Sequence, residues 1–258
     1  MKKIAFYSYK GGVGRTKVML GVGAKLALDG HRVGMLDFDL DASGLATVLG
    51  GQATDIEQNE LLYILANKDM SKVPSSIIDI TSKVTESFGV KPIGNGKLAY
   101  IPTISDPSLA DKIKFTSRTG IFVGDLMKEY LRNYEILLID LRPGYSNSSG
   151  VILEKVDSTV VVTRLDRQNL GGLRTIFPQF NERKRVTKLV VNLIADNNET
   201  ASRLQQLEDF VEKSVDVKIK YDPRAAYDDD FQSWAREGSD MNQRLGDLVN
   251  MLIDTEPQ

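Results

Sequence analysis

The sequence predicts an α/β fold, a mostly parallel sheet flanked by helices on both faces in three layers. Three observations carry that expectation. Short apolar runs of strand length alternate with longer helical patterns along the chain. Those runs are apolar almost throughout, as strands covered on both faces are. The chain has 258 residues, 41% of them hydrophobic, enough for one sizeable core.

Lys3–Ser8 (KIAFYS) reads as the first buried strand, followed by a glycine-rich turn and a helix over Lys17–Asp29. Gly30 then serves as its C-terminal cap. Arg32–Asp37 (RVGMLD) is the second strand, and Lys97–Pro102, Glu135–Asp140, Ser158–Thr163 and Leu189–Ile194 are the later ones. Helical patterns lie near Arg118–Leu131, Gln168–Arg183, Thr200–Val211 and Asp240–Ile253. Strands separated by helices imply βαβ units and hence parallel pairing. Residues 51–96 are the least legible stretch. Glu57–Asn67 looks helical, and Gly89–Lys97 (GVKPIGNGK) reads as turns at the end of a hairpin. The expectation is one domain over 1–258, with an elaboration around 51–96.

Composition narrows the chemistry. The formal net charge of −2 argues against a generally basic nucleic-acid protein, leaving room for a local patch. There is no cysteine, which removes disulfides, thiolate metal sites and cysteine nucleophiles. Apolar runs such as Glu135–Asp140 are strand-sized and bounded by charge, too short to span a bilayer. Lys2-Lys3 runs straight into a strand and a glycine loop, unlike a signal peptide, so the expected location is the cytoplasm.

The chemistry concentrates in Ser8-Tyr9-Lys10-Gly11-Gly12-Val13-Gly14-Arg15-Thr16, which follows a strand and opens a helix. Glycines let the backbone take positive φ and approach phosphates closely. Successive N–H groups and the helix N-terminus then bind the anion, and a hydroxyl such as that of Thr16 suits Mg²⁺. The plain pattern G-x-x-x-x-G-K-[ST] fails at Tyr9 and Arg15, whereas K-G-G-x-G-[KR]-[ST] fits every position.

On that segment the chain resembles the ParA/MinD family of deviant Walker A P-loop ATPases. The resemblance implies that Lys10, Gly11, Gly12, Val13, Gly14, Arg15, Thr16 and Lys17 hold ATP, with Mg²⁺ as the second cofactor. It implies that Lys10 reaches across a dimer interface to the partner's nucleotide and so takes part in catalysis. Arg15 keeps the charge of the usual lysine but is a planar, bulkier fork. Asp37-Phe38-Asp39 is similar to the family's D-x-D switch: Asp37 falls near the Mg²⁺ shell and Asp39 orients the attacking water. Tyr134–Asp140, an apolar strand ending in a carboxylate, resembles a Walker B, so Thr16, Asp37 and Asp140 form the expected metal set. Leu141-Arg142-Pro143-Gly144 follows it as the family's second switch does. Val190-Val191-Asn192 resembles the strand end whose asparagine pairs with adenine, and Tyr221-Asp222-Pro223 the loop that closes over the base.

The family offers several roles. Iron–sulfur members need cysteines, which are absent. The tail Leu248–Gln258 carries two acids and no base, so a membrane anchor is not expected. A phosphate loop starting at residue 10 is not expected to follow a leading helix-turn-helix domain. The resemblance therefore implies a slow ATPase that forms a homodimer on ATP binding, answers to a cargo adaptor or stimulating protein, and positions or segregates a cargo. Non-specific DNA is the expected matrix, through Arg183, Lys184, Arg185 and Lys188. Two readings stand beside it: a nucleotide-dependent regulatory adaptor without DNA binding, and an ATP-dependent biosynthetic ligase of related fold. His31, Asp228-Asp229-Asp230 and Trp234 are read as turn, helix-start and packing residues.

Overall fold

The computed structural model describes residues 1–40, 44–49, 60–103, 106–110, 112–144, 146–182, 186–224 and 238–254. Asp41, Arg183–Arg185, Asp228–Asp230 and Trp234 lie outside them.

In chain order the elements are β1 (Lys2–Tyr7), α1 (Arg15–Leu28), β2 (Arg32–Phe38), α2 (Gly44–Leu49), α3 (Leu61–Asn67), a 3-10 turn (Met70–Lys72), α4 (Val73–Ser76), β3 (Ile78–Asp79), α5 (Thr81–Phe88) and β4 (Lys97–Ile101). There follow α6 (Pro107–Ala110), α7 (Ser117–Tyr130), β5 (Ile136–Leu141), α8 (Asn147–Leu153), β6 (Ser158–Thr163), α9 (Arg167–Glu182), β7 (Val186–Ile194), α10 (Glu199–Val211), β8 (Val217–Lys220) and α11 (Asp240–Ile253).

The strands form one eight-stranded sheet in the order β3-β4-β2-β5-β1-β6-β7-β8. Every pairing is parallel except β3 with β4. The expected mostly parallel sheet is therefore the observed one. Residues alternate between its two faces. Ile4, Phe6, Met35, Leu138, Val160 and Val190 pack under α1, α2, α5 and α11, while Ala5, Tyr7, Leu36, Ile139, Val161 and Leu189 pack under α3 and α7–α10. Both faces are buried, which is why the strands read as continuous apolar runs.

The structure corrects several boundaries. Helix α1 starts at Arg15 rather than Lys17, because Gly14 at φ 83° ends the loop and caps the helix. Asp29 is its C-cap, with Gly30 following at φ 99°. The expected hairpin before Lys97 is an antiparallel pair, but β3 and β4 are joined through α5 rather than a tight turn. Among the described residues no helix is long and apolar enough to cross a membrane.

Strand register positions the functional end. Phe6 on β1 pairs with Asp140 on β5, and Asp140 pairs with Asp37 on β2. Both carboxylates thus stand side by side near the carboxyl ends of adjacent strands, where open α/β sheets bind ligands.

Candidate nucleotide site

A cleft of about 610 Å³ opens at that end of the sheet. Its floor is the 11–17 loop and the start of α1, and its walls include Asp39, Arg142, Pro143, Asn192, Leu193, Ile219, Asp222 and Met241. Gly12 and Gly14 have φ values of 75° and 83°, which only glycine adopts without strain.

Arg15 turns inward. Its Nε donates to Asp140 Oδ1, its Nη1 lies 3.1 Å from Ser8 Oγ and its Nη2 lies 3.1 Å from Asp39 Oδ2. Burial opposes its charge, and Asp140 and Asp39 outweigh that, raising its pKa above the usual value. Thr16 Oγ1 donates to the other oxygen of Asp140. Asp37 is fully buried, and its two oxygens accept the amides of Asp39 at 2.9 Å and Leu45 at 3.1 Å. It therefore ties the end of β2 to the start of α2. Burial first, then the charge of Asp140, pushes its carboxyl up to about 8.

Lys10 departs from its neighbours. It does not line the cleft; its ammonium donates to Gln168 at the start of α9. The loop beside it is fixed from several sides. Ser8 Oγ donates to the Lys10 carbonyl at 2.9 Å, and Gly144 N donates to the Ser8 carbonyl at 3.0 Å. The ring of Tyr9 lies where a Cβ on Gly172 would come within 2.0 Å of it. That close approach is why α9 carries glycine there.

Asn192 sits beside a bulge in β7, where the pairing with β8 shifts between Val191 and Ile194 and Leu193 takes φ 57°. The bulge turns the strand end toward the phosphate loop. Asn192 Nδ2 donates to the Val13 carbonyl at 2.9 Å. Of the expected base-closing loop, Asp222 lines the cleft, while Tyr221 is 44% exposed and outside the lining. The apolar wall of Leu193, Ile219 and Met241 escaped the sequence reading; its residues belong to three separate segments and share no motif. His31 is a turn residue as expected, with Nδ1 3.6 Å from Glu135. Lys188, which pairs with Val160 on β6, does not line the cleft.

These residues fit a magnesium nucleotide. The two positive-φ glycines aim a backbone cradle at the start of a 14-residue helix, α1, and Thr16 and Asp140 supply hard oxygen donors beside it. Among the described residues no three His, Cys, Asp or Glu side chains form a cation cage. Mg²⁺ needs none, since it keeps much of its water and takes one or two carboxylates plus phosphates.

Fold and cleft together define a P-loop nucleotide-binding protein. Comparison with known proteins is more specific. Residues 1–193 match the AAA_31 family, described as an AAA domain. The chain is 29% identical over 178 residues to the sporulation initiation inhibitor protein Soj of Bacillus subtilis, the match covering 67% of this chain and 62% of Soj. It is 27% identical over 164 residues to an iron-sulfur cluster carrier protein of Methanocaldococcus jannaschii, covering 62% of this chain and 49% of that one. The matches thus span about half to three-fifths of the length of these curated relatives. Among solved structures, the septum site-determining protein MinD of Pyrococcus horikoshii, complexed with Mg-ADP, aligns with a TM-score of 0.74 at 18% identity, over 98% of this chain and 96% of that one. The chain belongs to this family, the P-loop ATPases of ParA/MinD type, whose cofactors are ATP and Mg²⁺.

Proposed function

We propose that the chain is a dimerisation switch. It binds ATP through residues 10–17, pairs with a second copy when loaded, hydrolyses slowly, and uses that cycle to position or segregate a cargo. The observation that carries this reading is Lys10, whose ammonium lies outside the cleft that its own loop lines. A lysine so held is poorly sited for its own nucleotide and well sited for that of a facing copy. Two nucleotide-loaded faces repel, and a cation from each side offsets that charge. Asp39 orients the attacking water, Thr16 and Asp140 hold Mg²⁺, and Asp37 supports them through the amides it fixes. Asn192 serves the adenine as well as the loop.

The cluster-carrier relatives suggest another role, but the chain has no cysteine to hold a cluster. A positioning role needs a matrix, and we take non-specific DNA, contacted by Arg183, Lys184, Arg185 and Lys188. With 33 basic against 35 acidic residues a monomer has no general attraction to phosphate. A dimer doubles the contacts. A DNA shift assay with non-hydrolysable ATP at two salt concentrations tests this. Binding that needs nucleotide, weakens steeply with salt and disappears when Arg183, Lys184 and Arg185 become Glu is expected. Absence of binding at low salt favours a regulatory adaptor instead.

A further inference from the structure

The contacts of Arg15 in the cleft fall on groups that the reaction needs. Its side chain is 7% exposed, that of Asp39 12% and that of Asp140 0%. Nε is spent on Asp140, Nη2 on Asp39 and Nη1 on Ser8. Thr16 takes the second oxygen of Asp140, and Asp37 is committed to backbone amides. In this state the guanidinium already occupies the carboxylates that would orient water and hold a cation.

We propose that Arg15 has a second, positioning role besides phosphate binding. It is the internal counter-ion of Asp39 and Asp140, so a divalent cation reaches them only after phosphates have drawn the guanidinium away. The inference rests on reading the cleft as a magnesium-nucleotide site. Two physical points carry it. A guanidinium presents its donors in a rigid fork, and here it reaches Asp140, Asp39 and Ser8 at once, whereas an ammonium is a compact charge on a flexible stem with fewer donors to hold all three. And a buried ion pair is costly to open unless each partner finds a replacement. Here the nucleotide replaces the carboxylates for Arg15, and the cation replaces Arg15 for the carboxylates. Binding is therefore ordered, nucleotide before metal, and Asp39 is withheld until both have arrived.

The test uses Mn²⁺ alone as the probe, followed by its paramagnetic resonance signal, titrated into nucleotide-free protein. Arg15→Lys should bind Mn²⁺ at least tenfold more tightly than the parent, and Arg15→Gln more tightly still. If Arg15→Gln does not fold, as circular dichroism would report, Arg15→Lys decides. Equal Mn²⁺ affinity in the parent and Arg15→Lys overturns the proposal. Because the readout involves neither ATP nor turnover, a chain that fails to dimerise with ATP sinks the switch and leaves this inference standing. Equal Mn²⁺ affinity with normal dimerisation sinks this inference alone.

Discussion

Asn192 and Val13 are 179 residues apart in sequence, yet the Asn192 amide donates to the Val13 carbonyl at 2.9 Å. The same Nδ2 would lie 2.4 Å from a Cβ on Gly14, so the end of β7 and the phosphate loop are fitted to each other. Losing one such bond costs about 0.5–1.5 kcal/mol. Asn192→Ala should therefore weaken ATP roughly three- to tenfold and narrow the preference for ATP over GTP. Calorimetry with both nucleotides checks it. An equal fall for both would keep the clamp and remove the adenine role.

Arg15→Ala should lower ATP affinity on the order of a hundredfold. Charge-assisted hydrogen bonds contribute about 1.5–3 kcal/mol each, and a guanidinium fork can make two to phosphate. A change under about threefold by calorimetry would remove Arg15 from the phosphate site.

Asp39 and Asp140 should separate kinetically. Water positioning acts on the transition state, whereas Mg²⁺ contacts also hold the ground state. Asp39→Ala is expected to stop phosphate release while keeping the ATP-bound dimer, and Asp140→Ala to weaken Mg²⁺-dependent binding. Turnover by Asp39→Ala at the parental rate would move the water-orienting role elsewhere.

Stability should depend on pH through Asp37. Its folded carboxyl is pushed up to about 8, while an unfolded aspartate titrates near about 3.9. The folded state thus holds a proton that the unfolded state has released. The resulting stabilisation is complete below about pH 4 and is lost as pH rises through about 8. The melting temperature of nucleotide-free protein should fall between about pH 6 and pH 9, and Asp37→Asn should flatten that fall. An unchanged slope in the variant contradicts the assignment.

Much of this was legible in the sequence because strands buried on both faces advertise themselves. Ser158–Thr163 has the expected bounds, and the phosphate loop, the D-x-D and the Walker B end the strands they were read to end. What stayed hidden has physical reasons. β8 is four residues with alternating exposure, an edge strand with half the usual apolar signal. β3 has only two residues, both exposed. α8 begins Asn-Ser-Ser-Gly, poor helix formers, and depends on Ser146 as its cap. The inward turn of Arg15 was invisible because its partners lie 24 and 125 residues away and only register brings Asp37 and Asp140 together.

The central claim is that ATP assembles two copies through Lys10, and light scattering of the purified chain with and without ATP and Mg²⁺ tests it most directly. The parent should double its mass when ATP is added, and Lys10→Ala should stay monomeric while still binding ATP with near-parental affinity. A parent that remains monomeric at saturating ATP, or a Lys10→Ala variant that dimerises as readily as the parent, would contradict it.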